Sequence, residues 1–234
     1  FLTAHLKETL MSSSPVDRHF LLRKVHSLLG IIPIGAFLSF HLFENSLAKD
    51  GADYFYSHVI ETIDSIPYIE YMEVFAIALP ILFHAIYGVV IWVRGNSNLS
   101  VYGTYRNWMY WVQRVTGGLA FAFILCHVWS TRMQVLLGNM EKTELFGSIA
   151  ATVQTPWGLA LYILGIVAAV VHFSNGLWLF CITWGITIGR RSQKISTYVF
   201  ALLGLLLLVF AALSLQGFLA FDPSAVVEVE AVTH

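Results

Sequence analysis

The sequence predicts an all-α integral membrane protein with five transmembrane helices, of which the first four form an up-down bundle. Composition is the first reason: of 234 residues, 57% are apolar and only 12% are charged, roughly half the charged fraction of a soluble domain. The second reason is that the apolar residues fall into five separate blocks. Each block is long enough for a helix to cross roughly 30 Å of hydrocarbon.

The five blocks lie near 24–45, 71–93, 108–131, 157–182 and 197–221. Helices are the expected spanning form, because the blocks lack the alternation of apolar and polar residues that is typical of a barrel strand. The connections are short, which predicts one transmembrane domain over 23–221. A cytoplasmic arm with an interfacial helix is expected over 1–22, and an external tail over 222–234. No internal repeat is evident along the chain.

The first helix is expected to begin at the stretch Ser14-Pro15-Val16-Asp17. Serine is a favourable N-cap residue, and proline is favoured at the first helical position because its missing N–H is not needed there. The pattern therefore predicts a helix that starts in the interfacial segment and continues into the first block.

Basic residues determine the expected orientation in the membrane. They end the N-terminal arm and recur in the second and fourth connections: Arg23, Lys24, Arg94, Arg106, Arg190, Arg191 and Lys194. The first connection is instead acidic, with Glu44, Asp50, Asp53, Glu61, Asp64, Glu70 and Glu73 against Lys49. Since short cytoplasmic segments carry an excess of lysine and arginine, the N-terminus is expected in the cytoplasm and the C-terminus outside.

Four of the five blocks each contribute a histidine to one set: His41, His84, His127 and His172. A titratable side chain in hydrocarbon is costly and normally faces the protein interior. At a rise of 1.5 Å per residue, His41 and His127 lie about 6 and 8 Å below the outer surface, and His84 and His172 about 20 and 22 Å below it. In an up-down bundle the first and third helices are diagonal, as are the second and fourth. Each level therefore holds one pair that can face across the bundle.

This pairing predicts two stacked haems, the outer bound by His41 and His127 and the inner by His84 and His172. Iron with both axial positions filled by imidazole has no open site for oxygen or substrate, so it passes electrons only. Other interpretations remain open. The histidines could join helices by hydrogen bonds in a cofactor-free transporter or scaffold. A proton or soft-metal pathway usually adds carboxylates or sulfur ligands, and the blocks offer no carboxylate at mid-depth.

A set of ordered motifs resembles the di-haem cytochrome b membrane anchors of the succinate dehydrogenase and fumarate reductase family. The resemblance covers roughly residues 20–190 and rests on Arg23-Lys24-Val25-His26-Ser27-Leu28-Leu29-Gly30, Pro33, Gly35, His41, Asp64-Ser65-Ile66-Pro67, Glu73, His84-Ala85-Ile86-Tyr87-Gly88, Arg106-Asn107-Trp108, Gln113-Arg114-Val115-Thr116-Gly117, His127-Val128-Trp129, Thr131-Arg132 and His172. Each motif is weak by itself, and the ordered set is specific.

The resemblance implies an anchor in a bacterial cytoplasmic membrane that holds a flavoprotein and an iron–sulfur subunit on the cytoplasmic side. Electrons from succinate would pass through the partners to an inner haem b, an outer haem b and a quinone, commonly menaquinone. It assigns His84 and His172 to the inner haem and His41 and His127 to the outer. The chain itself would hold no succinate-oxidising site and bind no nucleic acid.

The direction of turnover is left open by the resemblance, because fumarate reductases use similar anchors in reverse. One departure concerns proton movement. Di-haem fumarate reductases carry a glutamate two positions before the fourth ligand, and here that position is Val170. A transmembrane proton route that relies on that carboxylate is therefore not expected.

Further candidates lie near the two levels. Haem propionates need cationic or hydrogen-bonding donors, and we expect His26, Ser27 and Arg114 at the inner level, and Arg132 at the outer, to contact propionate or quinone. Quinone reduction takes up protons, so Asp64 and Glu73 are the candidates for an outer quinone site. The alternative is that these residues are only membrane-surface anchors and a solvated acidic loop.

Overall fold

The computed structural model describes residues 15–96 and 98–223, which are mostly helical with no strand among them. Five helical segments are long and apolar enough to cross a membrane: Arg18–Asp50, Ile69–Val93, Tyr105–Leu136, Pro156–Thr183 and Arg190–Ala220. We call them the first to fifth spans. The predicted all-α, five-helix membrane architecture is confirmed.

Three spans are single or nearly single helices, and two are interrupted. The helical pieces are Pro15–Ile31, Pro33–Asn45 and the 3₁₀ turn Ser46–Asp50, then Ile69–Met72, the π-helical turn Glu73–Ala78 and Leu79–Val93, then Tyr105–Ser130 and Arg132–Leu136, then Pro156–Thr183, and Arg190–Ala220. The first helix begins at Pro15, as its sequence pattern predicts, while the expected cap Ser14 lies outside the described residues. Pro33 explains the first interruption, because proline has no N–H to continue the helical ladder.

The spans are longer than the apolar blocks at most of their ends. The fifth span begins at Arg190 rather than near 197, and the first extends from Arg18 to Asp50. Main-chain hydrogen bonds continue a helix beyond the hydrocarbon boundary, where side chains turn polar. Hydropathy therefore marks the buried portion of each helix and not its full length.

The first four spans form a ring of neighbours. The first span contacts the second and the fourth, and the third likewise contacts the second and the fourth. The first and third spans are thus diagonal, and so are the second and fourth. The fifth span packs outside this ring against the fourth and the first.

The first and third connections meet at one end of the bundle, which we call the acidic end. They contain the short helices Ala52–Phe55, Glu61–Asp64 and Leu145–Val153, and the turns Tyr56–Ile60 and Lys142–Glu144. Their apolar faces form a buried cluster with side chains from the spans: Ala48, Phe55, Val59, Phe123, Phe146, Ala150, Val153, Tyr162 and Phe218. Segments that the sequence marks only as polar connections therefore build an apolar cap over the bundle.

The opposite end, which we call the basic end, joins the first span to the end of the fourth. Lys24 Nζ donates to the Thr183 carbonyl at 2.7 Å and lies 4.5 Å from the centre of the Trp184 ring. Trp184 Nε1 donates to Ser27 Oγ at 3.0 Å. These contacts hold two neighbouring helices in register at this end.

Candidate functional site

Two pairs of histidines face each other inside the bundle. The rings of His84 and His172 have their centres 6.0 Å apart with planes at 89°, and those of His41 and His127 have theirs 6.0 Å apart with planes at 69°. The structure therefore brings together the same histidines that the depth argument pairs. Each pair joins diagonal spans.

The two pairs lie on separate levels of the bundle. Gly117 of the third span lies against the His172 ring, and His127 follows ten residues later on the same helix. Ten residues of helix rise about 15 Å. The separation agrees with the level spacing expected from sequence offsets.

His84 of the second span is held by the first span. Its Nδ1–H donates to the His26 carbonyl at 2.9 Å. The His26 ring stacks on the His84 ring with centres 3.9 Å apart and planes at 10°. Gly30 makes room for this arrangement, since a Cβ there would lie 2.5 Å from His84 Cε1.

His172 of the fourth span is held by the third span in the same manner. Its Nδ1–H donates to the Gln113 carbonyl at 2.9 Å, and a Cβ at Gly117 would lie 2.7 Å from His172 Cε1. The Gln113 side chain donates to the His172 carbonyl at 3.0 Å and accepts from Asn175 Nδ2 at 2.7 Å. Its amide nitrogen also lies 3.4 Å from His172 Nε2, at the long limit of a hydrogen bond.

These backbone contacts determine which nitrogen is available for binding. A neutral imidazole carries its proton on one nitrogen, and the hydrogen bond made by that nitrogen leaves the other with a free lone pair. In both His84 and His172 the carbonyl contact places the proton on Nδ1. Nε2 is then left with the free lone pair, which is the arrangement usual in histidines that bind metals.

The Nδ1 atoms of the outer pair contact side chains rather than main-chain carbonyls. His127 Nδ1 lies 3.2 Å from the hydroxyl of Tyr162, which is 7% exposed. His41 Nδ1 lies 3.3 Å from Asn45 Nδ2, whose amide also donates to the His41 carbonyl at 2.8 Å. Each of these histidines is stacked on the phenylalanine four residues before it, Phe37 or Phe123.

The spacing within both pairs fits a single metal ion between two imidazoles. Rings bound to one ion from opposite sides through nitrogens at about 2.0 Å have their centres about 6 Å apart. Among the described residues no hydrogen bond joins the two rings of either pair, and no three His, Cys, Asp or Glu side chains group closely enough to hold a metal by themselves. A haem would need only two ligands from the protein, and each histidine pair could supply them.

The predicted inner propionate residues lie at the basic end and differ in their contacts. Arg114 Nη1 donates to the Tyr110 carbonyl at 3.0 Å and its guanidinium lies 3.2 Å from the Tyr110 ring centre. Arg114 Nε and His26 Nδ1 are both enclosed and make no hydrogen bond with any residue that the structure describes. Ser27 Oγ is engaged with Lys24 and Trp184. Two unsatisfied nitrogens near the inner pair are compatible with an acceptor such as a carboxylate.

The predicted outer residues are paired with each other or with a neighbouring cation. Arg132 contacts one carboxylate oxygen of Glu73 from Nη2 at 2.6 Å and from Nε at 3.1 Å. Asp64 accepts from Lys142 Nζ at 2.5 Å. The structure thus joins Arg132, expected at a propionate or quinone, to Glu73, expected at the quinone site, and gives Asp64 a different partner.

Sequence reasoning missed several residues that contact the histidines. Asn175 is a polar residue within an apolar block and could have been singled out for that reason, as could Gln113 beyond its place in a motif. Tyr162 carries no such signal, because buried tyrosines are common in membrane helices. Its role depends on the crossing of the third and fourth spans, which only the structure shows.

Comparison with known proteins places the chain in a family. The family model for the succinate dehydrogenase/fumarate reductase transmembrane subunit matches residues 94–220. The chain is also 42% identical over 201 residues to the succinate dehydrogenase cytochrome b558 subunit of Bacillus subtilis (strain 168), which covers 86% of this chain and 95% of that protein. The chain therefore belongs to the family of succinate dehydrogenase/fumarate reductase transmembrane subunits.

Proposed function

We propose that this chain is the membrane-anchor cytochrome b of a succinate:quinone oxidoreductase. It carries electrons from an iron–sulfur subunit through two bis-histidine haems b to a quinone, with menaquinone as the expected acceptor. The observation that carries the proposal is the equal 6.0 Å spacing of two histidine pairs on two levels of one bundle. The cytochrome b558 name of the Bacillus subtilis relative supports haem binding as well.

The residues of this chain have three tasks in the proposed function. His84 and His172 would bind the inner haem, and His41 and His127 the outer; each haem supplies a one-electron redox centre when bound. Main-chain carbonyls bond to Nδ1 of the inner rings and glycines make room for them, which would leave Nε2 to bind the iron. The helices around each pair would keep other ligands away from the metal position.

Donors at the basic end would bind the propionates of the inner haem. Arg114 and His26 each offer an enclosed nitrogen without a partner, and an arginine fork suits a carboxylate. Ser27 is already bound to Trp184, so it would contribute only by sharing its hydroxyl.

The acidic end would hold the quinone. Quinone reduction takes up protons as well as electrons, which requires titratable groups in contact with water. Glu73 is half-buried and held by Arg132, and Asp64 is held by Lys142. We assign proton delivery to the quinone to these two carboxylates, and we place Arg132 with them at the outer level.

The partners would be a flavoprotein and an iron–sulfur subunit bound at the basic end, on the cytoplasmic side of a bacterial inner membrane. Succinate oxidation would take place on those partners. The name of the relative favours succinate oxidation; the family description includes fumarate reductases, so quinol-driven fumarate reduction is the second candidate.

A reduced-minus-oxidised visible spectrum of the purified complex tests the proposal. Two b-type haems per chain are expected, together with flavin and iron–sulfur centres in the co-purifying subunits. A spectrum without b-type bands would instead support a cofactor-free scaffold in which histidines join helices. Comparing succinate:quinone and quinol:fumarate turnover separates the two directions.

A further inference from the structure

Residues at the inner level recur at identical spacing in two halves of the chain. The first span has His26 and Gly30, and the second has His84 and Gly88. The third span has Gln113 and Gly117, and the fourth has His172 and Gly176. Each half therefore has two neighbouring spans that face each other. One span carries His26 or Gln113 and the other a histidine, and on both spans a glycine follows four positions later. We call these four positions the helix-pair motif.

Contacts in the first copy of the motif are reciprocal. The His26 carbonyl accepts from His84 Nδ1 at 2.9 Å. The His84 ring fills the space at Gly30, where a Cβ would lie 2.5 Å from Cε1. In return, the His26 ring lies against Gly88, where a Cβ would lie 3.3 Å from His26 Cε1.

The second copy repeats each of these contacts. The Gln113 carbonyl accepts from His172 Nδ1 at 2.9 Å. The His172 ring fills the space at Gly117, where a Cβ would lie 2.7 Å from Cε1. The Gln113 side chain lies against Gly176, where a Cβ would lie 3.2 Å from its Nε2. Gln113 therefore occupies the position that His26 occupies in the first half.

We propose that the first two spans and the next two are copies of one helix-pair unit, and that His26 and Gln113 are equivalent positioning residues for the two inner ligands. The inference rests on the proposed role of His84 and His172 as haem ligands. Because the first and third spans run in the same direction, the copies are related by a rotation about the membrane normal, as in parallel repeats of other membrane proteins.

The repeat escapes inspection of the sequence because each copy shares only a few positions, and the first of them differs in residue type. Small residues alone would not identify it, since glycine is common wherever membrane helices pack closely. Gly204 of the fifth span is an example, where a Cβ would lie 2.6 Å from Ser174 Oγ. What distinguishes the helix-pair motif is that a carbonyl bond and a glycine act on the same histidine ring.

The physical consequence is a ring that cannot shift independently. Moving His84 or His172 away from an added methyl group would break its bond to the carbonyl, which lies one helical turn from the glycine. The side chains at Gly88 and Gly176 need give only a few tenths of an ångström. Substitution of Gly30 or Gly117 should therefore disturb the inner site severely, and substitution of Gly88 or Gly176 only mildly. The effect should be the same in both halves.

Glycine substitutions in the whole complex test the proposal, with low-spin haem signals in electron paramagnetic resonance as the readout. Gly30→Ala and Gly117→Ala should each remove or shift the inner-haem signal and leave the outer-haem signal unchanged. Gly88→Ala and Gly176→Ala should keep both haems with a smaller shift of the inner one. Gly204→Ala, the packing control, should leave both signals in place.

Substitutions of His26 and Gln113 keep the test decisive if a glycine variant does not assemble. They add no atoms at Gly30 or Gly117, which lie against the His84 and His172 rings. His26→Gln should keep the inner-haem signal closer to that of the parent complex than His26→Ala does, because glutamine fills this position in the second half and its amide can still donate to a propionate. His26→Ala should shift it, and Gln113→Ala should shift it in the same way.

The inference would be overturned by unequal results in the two halves or by a Gly204→Ala effect like that of Gly117→Ala. A His26→Gln effect as large as that of His26→Ala would overturn it as well. The proposed function fails differently, since the parent complex itself would then contain no low-spin b haem.

Discussion

At the scale of single residues, the two histidine pairs differ in what fixes their rings. His84 and His172 donate to main-chain carbonyls, which no side-chain substitution removes. His127 depends on the hydroxyl of Tyr162. The outer pair is therefore the level at which a single polar side chain can change the electronic character of a ligand.

Tyr162→Phe should raise the midpoint potential of the outer haem. Loss of the hydroxyl removes an acceptor from His127 Nδ1–H, which lowers the basicity of the ligand and disfavours ferric iron. A neutral hydrogen bond contributes about 1 kcal/mol, which corresponds to a shift on the order of tens of millivolts. Redox titration of the purified complex measures it, and an unchanged outer haem with a shifted inner one would contradict the assignment.

His84→Leu should remove the inner haem and leave the outer. Leucine cannot bind iron, and His41 and His127 lie on the other level of the bundle. The measurement is the b-haem content of the complex, in which half of the reducible haem should remain. The matched variant His41→Leu should remove the other half, and loss of only the outer haem in His84→Leu would refute the pairing.

At the scale of helices, close contact between the third and fourth spans supports the outer pair. A Cβ at Gly165 would overlap the Phe123 ring, and Phe123 is in turn stacked on His127 at 5.7 Å. The approach of these two helices therefore determines where the His127 ring lies.

Gly165→Ala should lower the stability of the complex by roughly 1–3 kcal/mol, because overpacking displaces Phe123. Thermal unfolding followed by outer-haem absorbance is the measurement. Gly147→Ala is the control, since a Cβ there would lie 3.7 Å from Phe221 Cε1 in ordinary contact. An equally large loss in both variants would mean that any added methyl group is harmful.

A second contact between elements joins the π-helical turn Glu73–Ala78 to the short helix Arg132–Leu136 through the Glu73–Arg132 ion pair. At about a third exposed on each side chain, such a pair stabilises the fold by no more than about 1 kcal/mol. Stability alone therefore gives little reason for this ion pair, and we assign it to the proposed quinone chemistry.

Glu73→Gln should lower quinone reduction several-fold while both haems and succinate oxidation with an artificial acceptor are retained. The amide keeps the shape and cannot deliver a proton. Comparison of the two assays on the same preparation measures the effect. Lys49 and Asp50 form an exposed pair at the same end, and Asp50→Asn serves as the control with no expected change in either assay.

At the scale of the whole molecule, charge is divided between the two ends of the bundle. The basic end carries lysine and arginine from three segments, and the acidic end carries most of the carboxylates. In membrane vesicles of known orientation, a tag on the C-terminus should be accessible to protease from the external side only. Accessibility from the cytoplasmic side would reverse the proposed placement of the two haems and of the partners.

The sequence by itself determined the number of spans, the residues that pair and the levels on which they lie. These follow from hydrophobic length and helical rise, which are local properties of the chain. The same reasoning could not reveal that Arg132 binds Glu73, or that the polar connections form an apolar cap over the acidic end.

Only the tertiary structure decided which atoms fix each histidine ring. The Gln113 carbonyl, Gly30 and Tyr162 act on histidines of other helices, and their contacts depend on how closely those helices approach and at what rotation. Composition and spacing along one chain contain no direct measure of either quantity. The histidine pairs could therefore be predicted from the sequence, while the groups that orient the rings required the packed bundle.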